Sequence, residues 1–536
     1  LVALYNAEGY RNMDIEESRV TDNDDGTVDV YLKIDEGQRF YHRNISWTGN
    51  YVYTDSVLDR VLGIQRGDIY NPEELTTRVS FNPTGTDVYS LYMDDGYLFF
   101  NLEPVEVAVV DDSVDLEMRI YEGEQAEIKN VYVNGNTKTS DHVIYREIRT
   151  YPGQKFSRSD MIRTQRELSN LGYFDPEQID IVPKPNFQDG TVDMEYNVVE
   201  RPSDQIELSG GWGGFFGFVG TLGVTFNNFS LKKITDFKSW RPLPAGDGQR
   251  LSLRLQANGR QFQTYSMSFT EPWLGGRQPN SFSINLNHSV QRIIDFTNTV
   301  NGGLRVSGAT VTLGRRLKFP DDFFTMTNSL SFLQYTLDNY NARGFSTYNT
   351  GQSYNFTFNT TIARNSIDNP TYPRSGSSIS LSLSMTPPYS SFPNSSFGET
   401  TGDNRFRWVE YHKWMFDNSW YVNLVGKLVF SARAHMGFIG SYNQEKGIGP
   451  FERFLLGGDG LAQNNFLLGT DIVGLRGYQN NSISPYIRDQ TTGRFNNDLG
   501  GTVYNKYVME LRYPISLNPS ATIFMLGFLE GGNNWG

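Results

Sequence analysis

The sequence has no cysteine and only five histidines in 536 residues. The first absence excludes a disulfide framework, thiolate catalysis and cysteine-held metals. The second leaves His42, His142, His288, His412 and His435, none of them in an HExxH pair. There is also no GxSxG elbow and no GxxxxGK[ST] phosphate loop. Asp22 to Gly26 has the acidic look of a calcium loop, but Thr21 and Leu32 occupy the first and last ligand positions, so it reads as a hairpin turn. Neither a metal nor a cofactor is expected, and no enzymatic site can be named. A formal net charge of −13, with no basic stripe interleaved with aromatics, leaves no electrostatic footprint for nucleic acid. No run of about 18 apolar residues occurs, which excludes an ordinary transmembrane helix but not membrane strands. No signal-peptide pattern precedes Leu1, and Leu1 to Gly9 reads as the last turns of a helix, so a fragment boundary is expected there.

What the sequence does contain is an unusual pairing of properties. Aromatic residues make up 14 % and glycine 52 positions, yet the hydrophobic fraction is only 38 %. A β-barrel with a polar lumen has this profile, and the length calls for more than one core.

An internal repeat organises the first 200 residues. Asp25-Gly26-Thr27-Val28-Asp29-Val30-Tyr31, Asp112-Ser113-Val114-Asp115-Leu116-Glu117-Met118 and Asp189-Gly190-Thr191-Val192-Asp193-Met194-Glu195 align at spacings of 86 and 78 residues. That period is too long for most solenoids and fits a small domain in tandem. Each unit opens with an apolar strand ending in Gly-Asn, at Ile45 to Asn50 and Ile128 to Asn136. A helix follows, with Val57, Leu58, Val61 and Leu62 on one face and a break at Gly67 or Gly153. A second helix opens at Asn71-Pro72-Glu73-Glu74 or Ser157-Arg158-Ser159-Asp160, where a cap side chain precedes an acidic first turn. It ends at Gly9-Tyr10, Gly96-Tyr97 or Gly172-Tyr173. A hairpin completes a β-α-α-β-β bead. This pattern resembles the POTRA module, giving part of one bead at 1–37 and complete beads at 38–123 and 124–202. Their exposed sheet edges could accept an extended peptide by main-chain pairing.

After Arg201-Pro202 the helical patterns stop. Leu251 to Gln256, Tyr265 to Thr270, Phe282 to His288 and Ile379 to Met385 alternate apolar with Ser, Asn, Gln or Arg. Roughly 13 such strands are expected between Gln205 and Gly536. A soluble sandwich would also alternate, but a second face of Ser, Asn, Gln and Arg beside aromatic-rich strand ends favours a membrane barrel. The charges sit on that polar face, where they avoid the roughly 2 to 4 kcal/mol that a Lys or Arg costs on the lipid face near the bilayer middle. Trp273, in Thr270-Glu271-Pro272-Trp273, stands at a strand end where an interfacial girdle is expected. Residues 203–536 thus read as a transmembrane antiparallel β-barrel.

A long Gly/Asn-rich stretch between strands ending near His435 and beginning near Gly501 holds Gly474-Leu475-Arg476-Gly477-Tyr478. Phe451 to Gly458 precedes it, Arg364 to Asp368 with Pro373 and Gly376 lies earlier, and Phe528 to Asn533 follows. With the beads, this pattern resembles the BamA-type outer-membrane insertase superfamily over nearly the whole chain. The resemblance implies tandem α+β POTRA domains before a barrel of sixteen strands, the last of which are absent after Trp535. It places the beads in the periplasm of a bacterium and the barrel in its outer membrane. It implies a loop folded into the lumen, with Arg476 meeting Glu510 and Glu530, and glycines permitting close approach. The first barrel strand, with Gly210, Gly211, Gly213, Gly214 and Gly217, would be a weak lateral seam that opens for client strands. The implied partners are unfolded outer-membrane β-barrel proteins, lipoproteins and other accessory subunits of a BAM complex, periplasmic chaperones and the lipid bilayer. The alternative is a POTRA-barrel secretion pore or a TamA-like translocation and assembly module.

Overall fold

The structure is a computed structural model that describes every residue except 25, 81, 83–84, 213–217, 241–242, 295–298, 322, 341–348, 370, 393–398, 400–404, 462–466, 468, 489–494, 497–499 and 519–520. It divides into two units, Leu1–Pro202 and Ser203–Gly536.

The first unit begins with α1 (Val2–Ala7) and the hairpin β1 (Asp14–Asp22) and β2 (Val28–Asp35). The first complete bead contains β3 (Tyr41–Thr48), α2 (Asp55–Leu62), α3 (Pro72–Val79), α4 (Val88–Asp94), β4 (Asn101–Val110) and β5 (Ser113–Tyr121). The second contains β6 (Glu127–Asn134), α5 (Asp141–Tyr145), α6 (Arg158–Asn170), β7 (Asp180–Asn186) and β8 (Thr191–Asn197). In each bead the last strand takes the centre of the sheet, parallel to the first and antiparallel to its hairpin partner. The central strands alternate, so Val114, Leu116 and Met118, or Val192, Met194 and Tyr196, are buried under the helices.

The Gly-Asn corners have a steric cause. A Cβ on Gly49 would lie 2.2 Å from the Ile120 carbonyl oxygen, and one on Gly135 would lie 1.9 Å from that of Val198. The following asparagines repeat one device: the side-chain nitrogens of Asn50 and Asn136 each donate to a backbone carbonyl at 3.0 Å, of Tyr53 and Thr139. Glu122 accepts the N–H groups of Tyr51 and Val52, and Glu200 those of Lys138 and Thr139.

Two helix expectations need correction. The first helix ends at Gly63, in the left-handed conformation, not at Gly67. Gly67 and Gly153 lie farther along, where their N–H groups donate to the carbonyls of His42 and Ile128 and tie the loop to the first strand. In the first complete bead the second helix is also split into α3 and α4. Gly85 turns the chain there with a φ of 72°, and Asp87 recaps the helix by accepting from Ser90 N. In the second bead α6 is continuous, opened by Ser157 accepting from Asp160 N.

The second unit contains β9 (Gln205–Trp212), β10 (Phe218–Phe229), β11 (Gln249–Asn258), β12 (Phe262–Glu271), β13 (Ser281–Ile294), β14 (Val300–Arg316), β15 (Phe324–Asp338), β16 (Gly351–Asn365), β17 (Gly376–Met385), β18 (His412–Val425) and β19 (Leu428–Gly440). After β19 come the short β20 (Phe454–Leu456), β21 (Asp471–Val473), β22 (Ile487–Arg488) and β23 (Phe495–Asn496), then β24 (Val503–Asn518) and β25 (Ala521–Trp535). Strands β9 to β19, β24 and β25 form one 13-stranded sheet in sequence order, with β9 and β25 at its two edges. The strand expected to end near His435 continues to Gly440.

The register separates the faces. Val224, Leu253, Met267, Leu286, Ala309, Phe332 and Phe356 form one cross-strand row over seven strands. One residue away, on the opposite face, Thr225, Ser252, Ser268, Asn285, Thr310, Ser331 and Thr357 form the next. The apolar row is exposed or half-buried although all of it but Ala309 is made of large side chains, as a lipid-facing band requires, and the polar row carries its own hydroxyl pairs.

Candidate functional site in the folded-back loop

Residues 441–502 connect β19 to β24. The parallel pair β20 and β21 gives this loop a frame, and glycines let its segments meet. A Cβ on Gly458 would lie 1.6 Å from the Asn480 side-chain oxygen, and one on Gly474 3.0 Å from the Gly460 nitrogen. Leu475 is buried and donates its N–H to Gly458, Gly477 takes a φ of 85°, and Tyr478 is exposed. Between them Arg476 projects onto the sheet.

Arg476 Nη2 donates to Glu510 Oε1 at 3.0 Å, Nε donates to Glu530 Oε2, and the guanidinium carbon lies 3.5 Å from the centre of the Phe528 ring. Register accounts for the meeting: Glu510 faces Phe528, and Val508 faces Glu530, so both acids share the polar face. Their side chains are 2 % and 3 % exposed. Carboxylates so enclosed need partners.

They have more partners than Arg476. Glu510 also receives Arg433 at 2.5 Å and both Nε and Nη2 of Arg512 at 2.8 and 2.6 Å. Lys506 Nζ lies 2.8 Å from Glu530 and donates to the Gly474 carbonyl at 2.5 Å. Two carboxylates therefore hold four cations. The sequence reading missed Arg433, Lys506 and Arg512. Strand parity was a usable signal for one of them, because Ser431, Arg433 and His435 alternate with Ala432 and Ala434.

A second anchor was also missed. Lys413, on β18, lies 3.0 Å from Glu452 and 2.5 Å from Asp471, which joins both arms of the loop to the polar face. Glu452 has a φ of 61°, which fixes its turn in an uncommon conformation for a non-glycine residue. A third ion pair, Lys446 with Glu410 at 3.2 Å, is buried between this loop and residues 386–411.

Of the seam residues, Gly210 and Gly211 lie on β9, opposite Gly220 and Val219. Gly213, Gly214 and Gly217 lie outside the described residues, beyond the end of β9 at Trp212. All eight residues of β9 are exposed, and among the described residues its strand partner is β10. Gly223 on β10 leaves room for Glu207 and Arg254 to pair across it at 3.1 Å. Trp273 follows the end of β12 and is half-buried, its N–H donated to Glu271. Among the described residues no group of three or more acids and histidines is placed to hold a metal.

Comparison with known proteins follows the same division. Residues 40–123 and 126–201 each match the POTRA model described as a surface antigen variable number repeat, and residues 245–536 match the Omp85 superfamily domain. The outer membrane protein assembly factor BamA of Neisseria meningitidis serogroup B is 22 % identical over 99 % of this chain. The match spans 62 % of that relative's length. Outer envelope protein 80 of rice chloroplasts is 24 % identical over 33 % of this chain and 24 % of its own. The crystal structure of Haemophilus ducreyi BamA lacking POTRA domains 1–3 has the same fold, with a TM-score of 0.59 and 19 % identity, covering 92 % of this chain and 87 % of that one. The sheet lies in the outer membrane and the beads in the periplasm. With tandem POTRA beads leading into a strand-rich domain that the family model matches over more than half the sequence, the chain belongs to the Omp85 superfamily.

Proposed function

We propose that this protein folds and inserts other β-barrel proteins into the outer membrane, as the core subunit of a BAM-type complex. The observation that carries the reading is the order of parts: two POTRA beads lead directly into β9, the first strand of the membrane sheet. It begins three residues after the bead unit ends. An edge opened at that first strand would pair with an extended client segment. Gly210 and Gly211 supply no side chain to strengthen its existing pairing, which suits a lateral seam. The bead sheets, with edge strands β3, β4, β6 and β7, would hold unfolded clients by the same main-chain chemistry and dock lipoprotein subunits and chaperones. Arg476, held by Glu510 and Glu530, would keep the loop inside the lumen while the seam works. The process is driven by client folding and uses no nucleotide.

The test is reconstitution of the full-length protein in outer-membrane-like liposomes with several unrelated unfolded barrel clients, alongside Arg476→Ala. Faster client insertion that weakens in the variant is the expected result. No acceleration, together with steady ion conductance, would replace this reading with a secretion pore.

A further inference from the structure

The sheet end at which the chain arrives from the beads carries short connections between its strands, such as residues 272–280 and 426–427. The turn between β10 and β11, residues 230–248, is at the same end, since Thr225 pairs with Gln205, and it is the longest of the set. It is also built. Ser230 Oγ donates to Asp247 at 2.6 Å and accepts the Lys233 N–H, while Lys233 Nζ donates to the Ala245 carbonyl at 3.0 Å. Leu231 N donates to Gln249, whose amide nitrogen donates to Glu271. Trp240 Nε1 donates to the Ile234 carbonyl at 3.3 Å.

On this frame Leu231, Ile234, Phe237 and Trp240 are all exposed, Phe237 by 79 %, with its ring 5.6 Å from that of Trp240. Lys232 and Lys238 stand exposed beside them. A fixed turn that leaves its large apolar side chains outside is made for a surface it meets.

The turn lies on the lipid side of the sheet. Phe269 faces Ile284 and Leu251 in the outward apolar band, and Phe229 packs edge-on against it at 6.4 Å. Phe229 is only 4 % exposed and bridges to Ala245, so the turn covers it and extends the band past the strand ends. Amphipathic aromatics with lysines at the rim of an apolar band match a phospholipid headgroup layer, and lysines on a chain of net charge −13 select an anionic one.

We propose that residues 230–240 and 243–248 form an interfacial foot. Leu231, Ile234, Phe237 and Trp240 enter the periplasmic-side leaflet, and Lys232 and Lys238 bind lipid phosphates. Because the foot belongs to the hairpin beside β9, it fixes the depth of that first strand in the bilayer. The inference rests on membrane placement alone and is independent of insertase activity.

The absence of cysteine supplies the test. A fluorophore on Phe237→Cys, in the full-length protein in phosphatidylethanolamine vesicles containing phosphatidylglycerol, is compared with one on Tyr51→Cys, a 92 % exposed bead position. Heat-modifiable migration verifies that each variant is folded. Lipids brominated near the top of the acyl chain are expected to quench the label at 237 about three-fold or more over that at 51, with aqueous iodide showing the reverse order. Adding Lys232→Glu and Lys238→Glu is expected to reduce the lipid quenching by about half, in anionic vesicles only. Equal iodide access at both positions would overturn the proposal. So would protection of position 237 in native outer membranes combined with free iodide access in pure lipid, which would assign the surface to a protein partner.

Discussion

Glu510 touches three guanidinium groups, so its neighbours do not carry equal weight. Truncating one partner of an isolated buried ion pair costs about 3 to 5 kcal/mol, the figure a lone Arg476 pair would carry. Here Arg476→Ala leaves Glu510 with Arg433 and Arg512, and Glu530 with Lys506. Arg476 is also 41 % exposed, so its loss is expected to cost about 1 kcal/mol, near the value for an exposed pair. Glu510→Ala strands Arg433 and Arg512 instead, and is expected to cost about 3 to 5 kcal/mol. Urea midpoints of the detergent-folded protein compare the two; equal losses would refute the ranking. In the second bead, Gly135→Ala is expected to cost about 2 kcal/mol or more, since the new Cβ meets a carbonyl oxygen at 1.9 Å on a backbone with φ of 93°. Gly190→Ala, whose Cβ meets nothing closer than 3.9 Å, is the calorimetric control and should cost clearly less. Glu200 gives a pH dependence. Burial raises its pKa, but the hydrogen bonds from Thr139, Thr137 and Lys138 outweigh this and hold it below the ordinary carboxylate value. Its stabilisation is therefore full above that ordinary value and is lost as the pH falls through the depressed one. Acid titration of bead stability should show this loss, and Glu200→Gln should flatten it; an unchanged profile in the variant would rule Glu200 out.

At the scale of elements, adjacent residues on one strand meet different solvents. Leu286 belongs to the outward row and Asn287 to the polar face. Leu286→Arg is expected to cost about 2 to 4 kcal/mol in a bilayer, and Asn287→Arg little. Equilibrium refolding in lipid vesicles measures both, and similar penalties would contradict the facing. Strand length should also set dynamics. The amides of β9, an eight-residue strand, are expected to exchange faster than those of β14, a 17-residue strand paired on both sides. The α3 and α4 split belongs to this scale as well. Asn71 announced a helix start correctly, accepting from Glu73 N and Glu74 N, but Asp87 announced a second one that pattern reading merged with the first.

For the whole molecule, the two units are stabilised differently, the beads by small apolar cores and the sheet by a long hydrogen-bonded ladder with its apolar face in lipid. Denaturation should therefore show two transitions. Trp47 is the one tryptophan of residues 1–202 and donates to Asp59 at 2.8 Å; the other seven lie in the second unit. Trp47→Phe is expected to remove the fluorescence change of the first transition and leave the second intact. A single shared transition would show that the units unfold together.

Repetition and alternation made the bead architecture and a strand-rich second domain legible in the sequence, because a period of two and a recurring Gly-Asn and Gly-Tyr pattern are local consequences of backbone geometry. The Ser, Asn, Gln and Arg face beside aromatic strand ends favoured a membrane barrel over a soluble sandwich. The family resemblance added Arg476, Glu510 and Glu530 as a group. What no local pattern contains is cross-strand register. Register brings Arg433, Lys506 and Arg512 around the same two carboxylates, and places Lys413 under Glu452 and Asp471 from 39 and 58 positions away. The exposed turn at 230–248 is likewise visible only once its anchors close, since the same aromatic and basic residues in an open sequence read equally well as core or as solvent-facing loop.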